Sequence, residues 1–230
     1  MSKADFYNAI RPMFGGSLTS EQVQGIETLL GATQGLPIGH RAYLLATAKH
    51  ETADTMQPIH ERGKKAYFNK YEPGTRIGNA LGNTTPGDGY LFRGRGFVQL
   101  TGRANYAKAS KKLGVDLVGN PDAALDAKTA ARILVRGCME GWFTGKKLDD
   151  YLPDSFLEAR RVVNGTDRAQ EIAASAISFG KALAVLGDPQ SAPAVSAQPI
   201  PPKSDPQAFG LAWIIKAILQ GIGLLTWRKK

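Results

Sequence analysis

The chain of 230 residues has one cysteine, three histidines and a single long apolar run, which lies near its end. One thiol, Cys138, forms no internal disulfide and leaves neither a redox pair nor a zinc site, so no metal or cofactor is expected. In the apolar run ARILVRGCMEGWF it reads as a buried, inert thiol. The start, MSKADFYNAI, lacks the apolar core of a secretory signal, so the expectation is a protein made in the cytoplasm. Basic residues are not striped with aromatics, and no nucleic-acid motif is visible, so nucleic acid is not an expected partner.

Acidic residues are also comparatively few. Against 29 Lys and Arg stand 20 Asp and Glu, a net charge of +9. That balance favours an anionic partner such as a membrane surface or an envelope polymer. An apolar fraction of 43% and a charged fraction of 21% are those of an ordinary globular protein, and the length allows one domain with an appendage.

Residues 1–186 read as one mainly α domain. Thr19 followed by Gln22 is a capping-box pattern opening a helix over 20–30, and GATQGLPIG is a loop. HRAYLLATAKHE has helical spacing and puts Glu51 at or near a helix end. The Gly-, Pro-, Asn- and Thr-rich stretch 63–90 predicts a long irregular segment, a feature that is usually functional in a compact domain. FVQLT alternates like a short strand, which would place Gln99 and Thr101 on one face. Helices are predicted over 104–113, ended by Gly114, and over 124–140. Two more are predicted in PDSFLEARRVV and DRAQEIAASAISFGKALAVLG, separated by Asn164-Gly165.

After that the composition changes. Residues 187–207 hold six of the thirteen prolines and read as an extended linker. Residues 208–227 are largely apolar, with Lys216 as their only charge, and precede Arg228-Lys229-Lys230. Twenty helical residues reach about 30 Å, enough for a bilayer core. A transmembrane helix, an interfacial helix on anionic lipid and a helix packed on protein all fit this composition.

The chemistry-bearing residues begin with HETADTMQPIHERG. Glu51 and Glu61 are ten residues apart, each directly after a histidine, with Pro58 between them. The proline implies that the helix carrying Glu51 ends before Glu61, so the two belong to different walls of a site. Two carboxylates on opposite walls suit glycoside hydrolysis, which needs one acid and one base or nucleophile. Two surface glutamates would be the plain alternative. His50 reads as an orienting group beside Glu51. In LFRGRGFVQLTGRANY, Gly94 and Gly96 admit a close approach of ligand to backbone, followed by polar Gln99, Thr101, Asn105 and Tyr106. Trp142 and Phe143 read as core aromatics, with sugar stacking as the alternative.

HET at 50–52, GRGFVQLTGRANY at 94–106 and VVNG at 162–165 together resemble glycoside hydrolase family 19, and within it the phage and prophage endolysins. The resemblance spans the domain to about residue 183. It implies a lysozyme-like, chitinase-like helical fold with a small β-element by the cleft. It implies Glu51 as general acid, Glu61 as general base and Thr101 as the hydroxyl that positions water. Gln99, Asn105, Tyr106, Asn164 and Arg168 match positions that line the sugar cleft. The implied mechanism is inverting, with carboxyls about 6.5–9.5 Å apart. Glu51 would hold its proton through burial behind Leu44, Leu45 or the GRG loop, while a solvated Glu61 stayed ionised. The expected substrate is the β-1,4 glycan of peptidoglycan or of chitin, cut by a monomeric domain that the C-terminal helix brings to the anionic envelope.

Overall fold

The computed structural model describes residues 2–186. The expected linker, apolar helix and basic end over 187–230 lie outside the described residues. Among the described residues, no helix is long and apolar enough to cross a membrane.

Among the described residues, eight α-helices carry the fold: α1 (Lys3–Ile10), α2 (Ser20–Ala32), α3 (Ile38–Glu51), α4 (Arg76–Ala80), α5 (Asp88–Leu91), α6 (Arg103–Leu113), α7 (Ala127–Glu140) and α8 (Ala169–Val185). Their ends follow local chemistry. Thr19 and Gln22 exchange hydrogen bonds of 2.8 and 3.2 Å between side chain and backbone, closing the capping box of α2. Gly114 and Gly141 stop α6 and α7 in the left-handed conformation that glycine adopts without a Cβ penalty. Asp126 caps α7 by accepting from Thr129 N at 2.8 Å.

α3 is the centre. Residues 40–48 are all buried, including His40 and Arg41. The helix packs most extensively against α8, with Tyr43 stacked on Phe156 at 6.1 Å. The main core joins Phe6, Leu29, Leu44, Leu134, Phe179 and Leu183, each fully buried. Cys138 is buried in it, and burial pushes its thiol far above the ordinary range.

The sheet among the described residues is one antiparallel pair, β1 (Ile59–His60) with β2 (Arg95–Gly96), in the register Ile59↔Gly96 and His60↔Arg95. The strand expected over FVQLT does not form. Gly96 and Gln99 take positive φ (85° and 55°), the backbone folds back, and Leu100 pairs with Arg95. Phe97 and Val98 are both buried, so the segment sinks into the core instead of alternating.

The segment 63–90 is irregular but tightly tied. A 3-10 stretch, Lys65–Tyr71, and α4 enclose a small second cluster of Phe68, Tyr71 and Leu81. The Glu72 carboxylate accepts from Gly87 N at 2.7 Å and Gly89 N at 3.1 Å. Asp88 accepts from Thr84 N and Thr85 N, and holds the Arg103 guanidinium. PDSFLEARRVV, expected as a helix, forms turns and a 3-10 stretch, Glu158–Val162. Arg160 is drawn wholly inside there, a tertiary demand that overrides helix propensity.

α2 also clasps the connection between α3 and β1. Gln22 Nε2 donates to Asp54 O at 2.9 Å, and Gln57 donates to Glu21 O. A Cβ on Gly25 would fall on the Met56 carbonyl. Alanine in a helix interior normally gains about 1 kcal/mol over glycine. Here Gly25→Ala is expected to lose roughly 1–3 kcal/mol through overpacking, read as a lower midpoint in urea unfolding.

Candidate active site

Glu51 is the last residue of α3, and Thr52 seals the helix behind it. The Thr52 hydroxyl donates to Ala48 O at 2.8 Å and accepts from Met56 N at 3.0 Å. The chain then passes through three non-glycine residues in left-handed conformation, Ala53 (φ 49°), Asp54 (φ 67°) and Met56 (φ 54°). Each costs about 1–3 kcal/mol, and such residues cluster at functional sites. Pro58 follows, β1 begins, and Glu61 comes directly after it.

The two carboxylates have different surroundings. Glu51 Oε1 accepts from Arg160 Nη1 at 2.9 Å; the two side chains are 6% and 0% exposed. Arg160 Nε donates to Asp167 O at 2.9 Å, and Asn164 N donates to Arg160 O at 2.9 Å. Arg160 Nη2 and Asn164 Oδ1 are buried with no hydrogen-bond partner in the protein. Unsatisfied buried polar atoms are rare, and here they accompany an ion pair whose desolvation is already costly.

Glu61 is buried rather than solvated, contrary to the expectation for a loop-borne base: 6% of it is exposed. Its backbone and side chain are both tied to Gly94. Glu61 N donates to Gly94 O at 2.7 Å, and Gly94 N donates to Glu61 Oε2 at 2.9 Å. Tyr71 Oη donates to Glu61 Oε1 at 2.9 Å. Burial pushes the carboxyl above its ordinary value; the Gly94 and Tyr71 donors and the Lys70 and Arg93 charges pull it back. A Cβ on Gly94 would come within 2.8 Å of Gln99 Oε1 and 3.1 Å of Glu61 Oε2, so only glycine lets this strand lie against the carboxylate.

The other expected site residues fall into two groups. Gln99, Thr101 and Asn105 form a relay at the β2 turn. Gln99 Nε2 donates to Ile59 O at 3.0 Å and Gly96 O at 3.1 Å. Thr101 Oγ1 donates to Gln99 O at 2.8 Å, and Asn105 Nδ2 to Thr101 O at 2.8 Å. Through Ile59 and Gly94 this relay shares the Glu61 wall. His50, half-buried, precedes Glu51 in α3, and Asn164 lies on the Arg160 side. Tyr106 is fully buried. Its hydroxyl donates to Arg93 O at 2.9 Å and accepts from Arg95 Nη1 at 3.0 Å, so it braces β2 and offers a ligand no surface. Arg168, the residue that precedes α8, turns its side chain to Glu171 in the first turn of that helix, at 2.6 Å. Trp142 is buried, with Nε1 bonded to Glu140, and Phe143 packs over Gly137: both are structural. Among the described residues, no group of three or more His, Cys, Asp or Glu side chains is placed to hold a metal ion.

Arg160, Tyr71 and Lys70 were not expected. A signal for Arg160 is in the sequence: a charge amid the apolar run FLEARRVV that a buried carboxylate can satisfy. Tyr71 has no comparable signal, because its role depends on the fold of 63–90.

Two buried carboxylates thus sit on separate elements in unlike settings, Glu51 paired with a guanidinium and Glu61 held by Gly94 N and Tyr71 Oη. No protein-family model matches the chain. It is 47% identical over 60 residues to a glycosyl hydrolase family 19 domain-containing protein of Haemophilus influenzae, a match covering 24% of this chain and 28% of that protein. It is 27% identical over 162 residues to an endochitinase of Arabidopsis thaliana, covering 70% of this chain and 54% of that one. The chain thus spans about half or less of these curated relatives. Chitinase C from Streptomyces griseus superposes with a TM-score of 0.57 at 20% identity, over 80% of this chain and 76% of that one. The matches support homology with the chitinase-like glycosyl hydrolases of family 19, and the mainly helical fold is one shared with a chitinase structure.

The raised Glu61 carboxyl has a consequence for stability. As pH rises, the unfolded chain ionises this glutamate first, so the folded state is favoured below the ordinary carboxylate range and loses that advantage as pH climbs through the raised value. Glu61→Gln, whose amide can accept from Gly94 N and meet Tyr71, is expected to raise the thermal midpoint at pH 7. The gain should vanish near pH 4, as read by calorimetry across that range.

Proposed function

We propose that this protein is a glycoside hydrolase of the endolysin type, cutting β-1,4 links in the glycan strands of peptidoglycan. The observation that carries the reading is the pair of buried carboxylates, Glu51 and Glu61, joined by a connection of left-handed residues that α2 clasps. Rigid placement of two such groups in unlike electrostatic settings is what a proton donor and a proton acceptor need. The likeness to family 19 proteins supports the same chemistry.

In this reading Glu51 gives its proton to the leaving glycosidic oxygen as the bond from the anomeric carbon breaks. Glu61 takes a proton from water while the water oxygen attacks that carbon from the opposite face, and the product is inverted. Thr101 and Gln99 hold the water and the sugar on the Glu61 wall. Departure of the neutral alcohol leaves Glu51 charged beside Arg160, which stabilises that anion at the end of the step.

The net charge of +9 and the apolar tail over 208–227 with its basic end at 228–230 favour an envelope substrate over a neutral polymer. We read the catalytic part as monomeric and the tail as the element that carries it to anionic membrane, with host-wall lysis as the outcome. Chitin is the second reading, because the relatives of known name are chitinases.

The test is mass spectrometry of products released by the full chain from purified peptidoglycan and from chitin oligomers. New reducing muramic acid or glucosamine ends in peptidoglycan are expected. Anhydro ends would replace hydrolysis by transglycosylation, and cleavage of chitin alone would move the substrate. Glu51→Gln and Glu61→Gln should each lower turnover about 10²–10⁴-fold; an active variant would remove that residue from its role.

A further inference from the structure

The wall behind Glu61 contains a charge that the hydrolytic reading does not use. Lys70 is on the 3-10 stretch Lys65–Tyr71, and its ammonium lies over two tyrosine rings, 3.3 Å from the centroid of Tyr67 and 4.7 Å from that of Tyr71. Nζ is shielded from water and has no hydrogen-bond partner in the protein, and neither has the Tyr67 hydroxyl. An unpaired, desolvated ammonium is expensive, and ring faces recover only part of the cost. Such an arrangement persists where the charge acts on something. The Glu61 carboxylate is the nearby anion: Tyr71 offers its ring to the ammonium and its hydroxyl to Glu61 Oε1 at 2.9 Å.

The groups around Glu61 limit what else can act on it. From the 3-10 stretch come Tyr67, Lys70 and Tyr71, and from the β2 side come Arg93 and Gly94 N. The adjacent His60 faces Asp122 and the Arg93 and Arg95 charges. Arg93 is drawn aside, with Nη1 on Tyr90 O at 2.9 Å and its guanidinium 4.1 Å over the Tyr90 ring. Lys70 has no such competing hydrogen bond.

We propose that Lys70 is a positioning residue that keeps the buried Glu61 carboxylate charged, acting through space and through Tyr71 rather than by contact with substrate. It rests on the reading of Glu61 as the base. The electrostatics agree in direction. Burial, partly offset by the Glu61 charge, lowers the ammonium to about 8, while Lys70 in turn pulls Glu61 down. Around neutral pH the ammonium is still mostly charged, so the support is present where the base must act.

The experiment uses the full chain with Lys70→Met, which keeps the stem, and Lys70→Arg, which keeps the charge, with folding checked by circular dichroism. In Lys70→Met the acid limb of the kcat/KM profile is expected to move up by about one pH unit, a tenfold loss on that limb. The plateau above pH 8 should change less than threefold, and Lys70→Arg should restore the limb. A purely structural role would lower the whole profile without moving the limb, and that outcome overturns the proposal. A reciprocal measurement needs no activity: coupling between two sites works equally in both directions. The Nζ nitrogen resonance of Lys70 should lose its proton at lower pH in Glu61→Gln than in the parent protein, and coincident titrations overturn the proposal. An active Glu61→Gln enzyme would instead sink the assignment of Glu61 as base, whatever the Lys70 titration shows.

Discussion

α3 is surrounded by protein along residues 40–48, and its last residue is a glutamate. A helix buried to that extent has little freedom to shift or rotate, because its neighbours are close-packed on every side. Glu51 therefore inherits its position from the core. Arg160 then supplies a cation at the end of a helix that cannot withdraw its carboxylate to water. The guanidinium has to come from a segment that abandons regular helix to reach inward, which is why 158–162 winds as a 3-10 stretch beneath the core.

The Glu61 wall is built by the opposite method. Its elements are short: a strand pair of two residues each, a 3-10 stretch and two brief helices. Little apolar area holds them, so polar ties take over. Glu72 and Asp88 bind backbone N–H groups of the loop, Asn83 donates to Tyr71 O at 2.7 Å, and Gly94 lets the backbone lie on the carboxylate. Between the walls runs the connection with Ala53, Asp54 and Met56 in left-handed conformation, strain that the clasp of α2 and the Thr52 bonds sustain. One carboxylate is thus set by packing and the other by hydrogen bonds, and their unlike chemistry follows from that difference.

Much of this was legible from residues. The capping box at Thr19, the glycine stop at 114 and the end of α3 near Glu51 are local signals, and local physics decides them. The strand expected in FVQLT failed because alternation was read without the left-handed backbone at Gly96 and Gln99, which turns the chain back on itself. The helix expected in PDSFLEARRVV failed because one arginine has a partner that pattern analysis does not see. Glu61 was expected in solvent because a loop-borne, solvated carboxylate stays ionised, as a base requires. Its burial comes from Tyr71 and Gly94, ten and 33 positions away. What was missed is long-range, and it is the part that sets the charge state of the site.

Glu51 and Arg160 are 109 positions apart. On a ribosome, the glutamate leaves the exit tunnel long before its guanidinium has been translated, and α8, the main packing partner of α3, emerges later still. Chains fold as units once their segments are available. A nascent or truncated chain lacking that C-terminal third therefore has both carboxylates without the scaffold that fixes Glu51, and the Glu51–Arg160 pair closes only when translation of the domain is nearly finished.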